Sequence, residues 1–291
     1  MDVTPLPKGA GRRCLDELNS LHATIYFAPD FGEELAAHGV EDPMAVYLAG
    51  RAAPWGAVGA GPVAASFNGL NHELIARHLP RLWTQVAPAT VVALRLRAAD
   101  AVLRRFLGEA ALASAEMTEA ADLAVRALEA CEPRGRPMYA AHADHPVPDA
   151  PHLALWHAAT LLREYRGDGH VTALTTAGIL GLDALVSHSA SKDGLPKEFV
   201  MERHGWTAED WAAAEQRLGA RGLMDADGRL SARGVLVRER LEEETDRLDG
   251  APYAHLGASG VSRLTELTGS FTATAAAAGA FPTELAPAGA D

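Results

Sequence analysis

The stretch WTAEDWAAAEQRLGARGLMDADGRLSARGVLVRERLEEETDRL, residues 206–248, contains the most specific structural pattern in the chain. Thr207 is a good helix N-cap, and Asp210 follows three residues later, where a capping box usually has Glu. These residues predict a helix that continues to about Leu218. The Asp-Gly pair at 227–228 then predicts a tight turn between two very short strands.

A second helix is predicted directly after that turn. Ser231 is placed to cap it, and the apolar residues Val235, Leu236, Leu241 and Leu248 lie near one face. The order helix, two-stranded wing and helix is that of a winged helix-turn-helix. Because turn, caps and periodicities agree at adjacent positions, we expect this architecture in the C-terminal part of the chain.

The remaining sequence is also mostly helical in pattern. Apolar residues recur at helical spacing in 13–28, 88–109 and 118–131, while Pro and Gly divide residues 41–83 into short helices. The predicted fold class is therefore mainly α, with a helical body and a C-terminal winged helix-turn-helix that has a small two-stranded wing.

Changes in composition divide the chain into parts. Residues 132–150 are rich in Pro, and the last stretch is low in complexity, so we expect it to be loosely attached. The predicted parts are an N-terminal helical domain (1–131), a Pro-rich connection (132–150), a winged-helix domain (151–270) and a tail rich in Ala, Pro and Gly (271–291).

Composition limits the classes of function. The 291 residues have a formal net charge of -12 and a pI of about 5.4, whereas DNA-binding proteins usually need a basic surface to neutralise phosphates. Two cysteines make no disulfide framework. The N-terminal residues lack the apolar core of a signal peptide, and no apolar run approaches the roughly 20 residues that span a bilayer. We expect a cytoplasmic protein without membrane partners.

The segment REYRGDGH, residues 163–170, is unusually rich in charge. The spacing predicts that one helix ends near Gly167 and that Asp168 caps the next, which places His170 in its first turn. The positive end of that helix would lower the pKa of His170 and keep more of it neutral at pH 7.

A neutral His170 in that position has a chemical use. It could act as a general base beside Asp168 or Glu164, and Arg163 and Arg166 could anchor an anionic group. The candidate catalytic residues are therefore His170, Asp168 and Glu164. The alternative is a capped turn with ion pairs at the surface.

A second candidate region surrounds Arg51, which lies among small and apolar residues and shares a helix face with Tyr47. A guanidinium in such a place must be paired, because an unpaired buried ion is costly. We predict Glu164 or Asp168, or an anionic ligand, as its partner, and expect Arg51→Lys to be damaging. The alternative is a buried hydrogen-bond network.

Other polar and aromatic residues complete the candidate ligand site. Asn68 and Asn71, three residues apart, are predicted to share a helix face and to orient a polar ligand. His22 and Tyr26, one helical turn apart, could face a pocket, although core packing is the alternative. The predicted ligand-binding set is Arg51, Tyr47, Asn68, Asn71, Arg163, Arg166, His22, Tyr26 and Trp55.

Neither a metal nor a cofactor is expected. Histidine occurs twelve times, but His142, His145, His152 and His157 do not follow a metal-ligand spacing. No glycine-rich phosphate loop and no nucleophile elbow are present.

The segment 217–248, together with YLAGRAAPWG (47–56), LWHAATLLREYRGDGH (155–170) and the region of Trp206, resembles an actinobacterial SalK-like helix-turn-helix family with a MarR-like core. The resemblance covers residues 20 to about 270. It implies a winged-helix scaffold and a link to secondary metabolism, but no particular reaction.

The leading functional hypothesis is an acid/base enzyme or binder of a natural-product biosynthetic intermediate, held in a cavity between the helical body and the winged-helix part. The first alternative is a MarR-like, ligand-responsive transcriptional regulator, and the second is a drug-sequestering resistance protein. The helix after Thr207 opens with Glu209 and Asp210, which repel phosphate, so DNA is the less favoured partner. A homodimer is compatible with the sequence.

Overall fold

A computed structural model describes residues 5–192 and 194–282. Within these ranges the chain forms fourteen α-helices: α1 (Ala10–Phe27), α2 (Asp30–Ala36), α3 (Pro43–Ala52), α4 (Ala60–Phe67), α5 (His72–Ala76), α6 (Pro88–Leu112), α7 (Ala115–Leu128), α8 (Pro137–Ala143), α9 (Pro151–Ala177), α10 (Leu182–Ser189), α11 (Lys197–His204), α12 (Ala208–Ala220), α13 (Ala232–Leu248) and α14 (Gly250–Ala277). Two 3-10 helices, Ala53–Trp55 and Arg81–Thr84, complete the regular structure. The prediction of a mainly α protein is confirmed.

The helical body has one large hydrophobic core. Leu18 of α1, Leu48 of α3, Leu155 of α9 and Leu264 of α14 are all fully buried in it. The last helix therefore returns to the first one, against which it packs along much of its length. Burial of each such side chain contributes about 1.5–3 kcal/mol.

Helices α10 to α13 form the helix-turn-helix part around a second, smaller core. The predicted caps are confirmed. The amide of Asp210 donates to Oγ of Thr207 at 3.1 Å, and the amide of Thr207 donates back to the Asp210 carboxylate at 3.0 Å. Ser231 accepts the amide of Gly234 at 3.0 Å and so starts α13. Trp211 and Leu218 anchor α12 in the core.

The predicted two-stranded wing is wrong. Between α12 and α13 the described residues contain no strand, and the wing is reduced to a single antiparallel bridge between Met224 and Leu230. The reason is length: α12 ends at Ala220 and Ser231 already caps α13. The carboxylate of Asp225 accepts amides inside the turn, so too few residues remain for a ladder.

The predicted apolar face of α13 is also partly wrong. Leu241 is buried, but Val235 and Leu236 are 43% and 54% exposed. The inward-facing side of α13 begins at Gly234, one residue before Val235. The backbone of α13 approaches Leu223 closely there, since a Cβ at Gly234 would lie 2.0 Å from the carbonyl oxygen of Leu223. Glycine permits this close approach because it has no Cβ, and the approach fixes how α13 is rotated about its own axis.

The expected break at residues 167–169 does not occur, because α9 runs without interruption from Pro151 to Ala177. Asp168 therefore caps no following helix, and His170 lies mid-helix rather than in a first turn. Gly169 serves close packing instead, since a Cβ there would lie 3.3 Å from Cβ of Leu248. The glycine that ends α9 is Gly178, with φ 64°.

Residues 271–277 belong to α14 and are not the start of a loosely attached tail. Phe271, Ala275 and Ala280 are buried in the main core. The rest of the predicted tail, from residue 283, lies outside the described residues.

In the ranges that the structure describes, no helix taken alone has both the length and the apolar composition to cross a membrane. Helices α9 and α10 meet these criteria only as a pair bent by 97°.

Candidate functional site

A cavity of about 340 Å³, here called the polar cavity, lies between the helical body and the helix-turn-helix part. The body contributes α3, the α4–α5 segment, α8 and α9, and the other wall comes from α10, α11 and α13. Its polar lining includes Tyr47, Arg51, Asn68, Glu164, Asp168, His170, His188, His204, Arg238 and Glu242. Sequence-predicted site residues from distant parts of the chain are thus brought to one place.

Arg51 and Glu164 form the ion pair at the body side of the polar cavity. Nη2 of Arg51 lies 2.9 Å from Oε2 of Glu164, and the two side chains are 11% and 3% exposed. Nη1 donates to the hydroxyl of Tyr47 at 3.1 Å, and the guanidinium lies 4.8 Å from the ring centre of Phe67. The predicted distant carboxylate partner of Arg51 is confirmed as Glu164.

Glu164 is shared by more than one cation. Arg163 donates to its other oxygen, Oε1, at 2.8 Å. Burial raises the pKa of Glu164, but Arg51, Arg163 and further cations outweigh that effect and hold the pKa at about 2. The carboxylate is therefore fully charged at neutral pH.

Arg95 of α6 adds a third guanidinium and has no carboxylate within 4 Å among the described residues. It is 6% exposed, contacts Nε2 of His22 at 3.4 Å, and lies 4.8 Å from the ring centre of Trp156. Burial lowers the pKa of Arg95, and Arg51 lowers it further by repulsion. Arg51, Arg95 and Arg163 thus place three positive charges around the carboxylate of Glu164, and Asp168 and Glu242 are further carboxylates of the cavity lining.

The two predicted aromatic positions of α1 flank this guanidinium. His22 is fully buried and stacks on Trp156 at a centroid distance of 5.1 Å, and burial together with Arg95 lowers its pKa well below the usual value. The hydroxyl of Tyr26, whose side chain is 38% exposed, accepts from Arg95 at 3.5 Å. A neutral imidazole and a phenol do not compensate the charge of Arg95.

His170 has a defined tautomer. Its Nδ1 lies 3.0 Å from Oγ1 of Thr245, whose only proton is donated to the carbonyl of Leu241 at 2.7 Å. Nδ1 of His170 must therefore donate, and Nε2 of the neutral ring is left with a free lone pair. The pKa of His170 is lowered, chiefly by burial and not by a helix end as the sequence suggested. Such an imidazole can accept a proton.

Asp168 lines the polar cavity but has a structural task. Its carboxylate accepts the amides of Met138 at 3.4 Å and Tyr139 at 2.9 Å, and it so holds the start of α8 against α9. Burial raises the pKa of Asp168 to about 6, against the opposing effect of those two amides.

Six predicted residues lie outside the lining of the polar cavity: Asn71, Arg163, Arg166, Trp55, and also His22 and Tyr26. Asn71 caps α5 and accepts the amide of Glu73. Arg166 pairs with Asp246 and Asp249 on another side of α9, and Trp55 donates to the carbonyl of Pro137.

Asn68 lines the cavity but does not share a helix face with Asn71, so that prediction is wrong. Asn68 ends α4 with φ 54°, and its side chain accepts the amide of Gly181 at 3.1 Å. The Gly between the two asparagines separates α4 from α5, which is why the helical spacing rule does not apply.

Sequence reasoning missed Arg95, Arg238 and Glu242. Arg95 could have been found, because it falls on the same face of α6 as the buried Val91 and Ala98, where a charge is out of place. Arg238 and Glu242, 3.0 Å apart, look like an ordinary i,i+4 surface pair in the sequence. In the described ranges no group of three or more His, Cys, Asp or Glu side chains is arranged to hold a metal ion.

Comparison with known proteins assigns the chain to a family. No curated protein and no solved structure matches it significantly. The model of a helix-turn-helix family matches residues 11–282, which is nearly the whole chain, including both walls of the polar cavity. The protein therefore belongs to this helix-turn-helix family.

Proposed function

We propose that the protein binds an anionic small molecule in the polar cavity and acts on it by acid/base chemistry. The observation that carries the proposal is the local charge balance at Glu164: Arg51 and Arg163 both contact this carboxylate, and Arg95 adds a further positive charge nearby without contacting it. Nε of Arg51 is buried and has no hydrogen-bond partner among the described residues. A ligand carboxylate or phosphate would supply both the missing charge and the missing acceptor.

The proposed base is His170, whose Nε2 carries the lone pair that can take a proton from the ligand. The resemblance to actinobacterial SalK-like proteins supports an intermediate of natural-product biosynthesis as the ligand class. A cavity of about 340 Å³ has the size expected for a small-molecule site.

The first test uses small carboxylic acids, each paired with its primary amide as a neutral control. We expect acids to bind better than their amides, and Arg51→Lys to weaken acid binding by about tenfold or more, because lysine lacks the planar fork. Isothermal titration calorimetry measures both. Arg134→Lys, at an exposed position, is the matched control and should bind like the wild type. Equal affinities for acids and amides would contradict the proposal.

The alternative function is a MarR-like, ligand-responsive transcriptional regulator. One observation favours it: α10, α11 and α13 form one wall of the polar cavity, so a ligand there would contact the helix-turn-helix part directly. The surface of that part argues against it, since residues 197–233 contain seven carboxylates and six Lys or Arg side chains.

Arg217 of α12 and Arg221, which directly follows this helix, are moreover already engaged. Arg217 donates to Asp183 at 2.6 Å, and Arg221 donates to the carbonyls of Ala177 and Gly178. A recognition helix needs free Arg, Lys, Asn or Gln at its start, where this helix has Glu209 and Asp210. We therefore favour the small-molecule function.

The second test measures DNA binding directly. We expect duplex DNA from the protein's own promoter region to bind no better than about micromolar in fluorescence anisotropy, even at low salt, because phosphate contacts supply most of the affinity. A nanomolar complex that weakens steeply with added salt would overturn the preference for the enzyme or binder and establish the regulator.

A further inference from the structure

A second cavity of about 270 Å³, here called the apolar cavity, lies in the helical body between α6, α9 and the segment after α8. Its lining is mostly apolar and includes Val92, Leu96 and Trp156. Ala89 and Ala93 are exposed and border its opening on α6. The cavity is thus reached from solvent along the surface of α6.

Three histidines interrupt the apolar lining: His142, His145 and His157. Nε2 of each is buried without a hydrogen-bond partner among the described residues. His142 and His157 are 4% and 8% exposed. A buried polar atom without a partner destabilises a fold, so three in one cavity indicate a ligand that satisfies them.

The imidazoles of His142 and His157 are neutral at pH 7. Burial lowers the pKa of His142 to about 3 and that of His157 to about 4. His157 also bonds to the backbone of His145, which a neutral ring does by donating from one nitrogen. Its unpartnered Nε2 then carries a lone pair and requires a hydrogen-bond donor.

A charged residue of the lining, Arg95, disfavours cationic ligands. Arg95 lies in the cavity wall, and it has no carboxylate within 4 Å in the part of the chain that the structure describes. A protonated amine would be repelled by this guanidinium. An electron-rich ring, in contrast, can stack beside Trp156 and the guanidinium.

We propose that the apolar cavity binds a hydroxylated aromatic ring, whose hydroxyl donates to Nε2 of His157 and whose ring packs against Trp156, Val92 and Leu96. A hydroxyl fits because it can donate to one imidazole and accept from another.

This site is distinct from the polar cavity. Thr160 lines the apolar cavity and Glu164, one helical turn further along α9, lines the polar one. On α8, His142 lines the apolar cavity and Met138 lines the polar one. The inference depends on the unpartnered imidazoles and not on the charge balance at Glu164, so either proposal can fail alone.

The experiment compares three probes: 2-naphthol, 2-methoxynaphthalene, which has no donor, and the cationic 2-(aminomethyl)naphthalene. We expect 2-naphthol to bind roughly two- to tenfold more tightly than the methoxy compound, as one added hydrogen bond provides. The cation should bind least. Calorimetry gives the affinities, and intermolecular NOEs from 2-naphthol to the methyl groups of Val92 locate the probe.

Variants test the two parts of the proposal separately. His157→Phe keeps a ring of similar shape and should abolish the preference for 2-naphthol over its methyl ether. Ala93→Trp should block the opening and all three probes, whereas Ala101→Trp, the same change at an exposed position of α6 outside the lining, should not. Equal binding of the first two probes, a preference that persists in His157→Phe, or NOEs to Leu185 of the polar cavity would each overturn the inference.

Discussion

Glu164→Gln should lower the free energy of unfolding by about 3–5 kcal/mol, the effect of breaking a buried ion pair on one side. Glutamine keeps the shape of the side chain but leaves Arg51, Arg163 and Arg95 without a negative charge between them. The measurement is urea unfolding at pH 7. Glu119→Gln is the matched control, since it removes an exposed Arg263 pair at 2.7 Å and should change stability by less than about 1 kcal/mol.

The pH dependence of the free energy of unfolding tests the Arg51–Glu164 ion pair independently. The folded-state pKa of Glu164, about 2, lies below the ordinary value of 4.5. The carboxylate therefore contributes its full stabilisation above pH 4.5 and loses it as the pH falls toward 2. The difference between wild type and Glu164→Gln should be constant from pH 8 to pH 5 and should shrink below pH 4.5.

A small anion should partly replace the lost carboxylate. Acetate at the same ionic strength as a chloride control should raise the melting temperature of Glu164→Gln more than that of the wild type, because it can enter the adjoining polar cavity. A loss below about 1 kcal/mol without a specific effect of acetate would show that these arginines do not depend on a shared negative charge.

The Arg51–Glu164 contact shows what sequence reasoning can find. The alanines and glycines next to Arg51 in the sequence cannot balance the charge of its guanidinium. The charged segment 163–170 offers carboxylates that can. Burial energetics alone then require a long-range pair. The contact of Arg51 with Tyr47 follows from their helical spacing, but no pattern in the sequence indicates how α4 packs against α3, so the contact of Arg51 with the ring of Phe67 became visible only in the fold.

The errors have a common physical origin in close packing. The helix end near Gly167 was predicted from the local preference of glycine, and neither Gly169 nor Gly234 was given a packing role. In the fold each permits a close approach between distant elements, to Leu248 and to Leu223. Local signals with their own hydrogen bonds, such as the caps at Thr207 and Ser231, were predicted correctly because they need no distant partner.

The apolar cavity was missed for a related reason. His142 and His157 were weighed as metal ligands from their spacing along the chain. They meet because α8 packs across α9, which places both rings on one apolar wall beside Trp156. Tertiary contacts of this kind leave no periodic signature in a single sequence.

His170→Gln should leave the fold intact and slow proton transfer to a bound acid by about 10²- to 10⁴-fold, the range for loss of a general base. Glutamine can still donate to Oγ1 of Thr245, as Nδ1 of His170 does at 3.0 Å, but it provides no basic nitrogen. The assay is NMR-detected exchange of an acidic C–H for deuterium in any carboxylic acid that binds the polar cavity. His38→Gln, at an exposed position, is the matched control.

The pH profile of that exchange tests the assignment of the base. A base must be neutral to act, and the pKa of His170 is lowered by burial. Activity should therefore stay constant as the pH falls to the ordinary histidine value of 6.5 and should decline only below it. If a bound acid exchanged equally fast in a folded His170→Gln variant, His170 would not be the base. If the wild type bound acids tightly without accelerating exchange, the polar cavity would be a binding site, and its arginines rather than His170 would define its function.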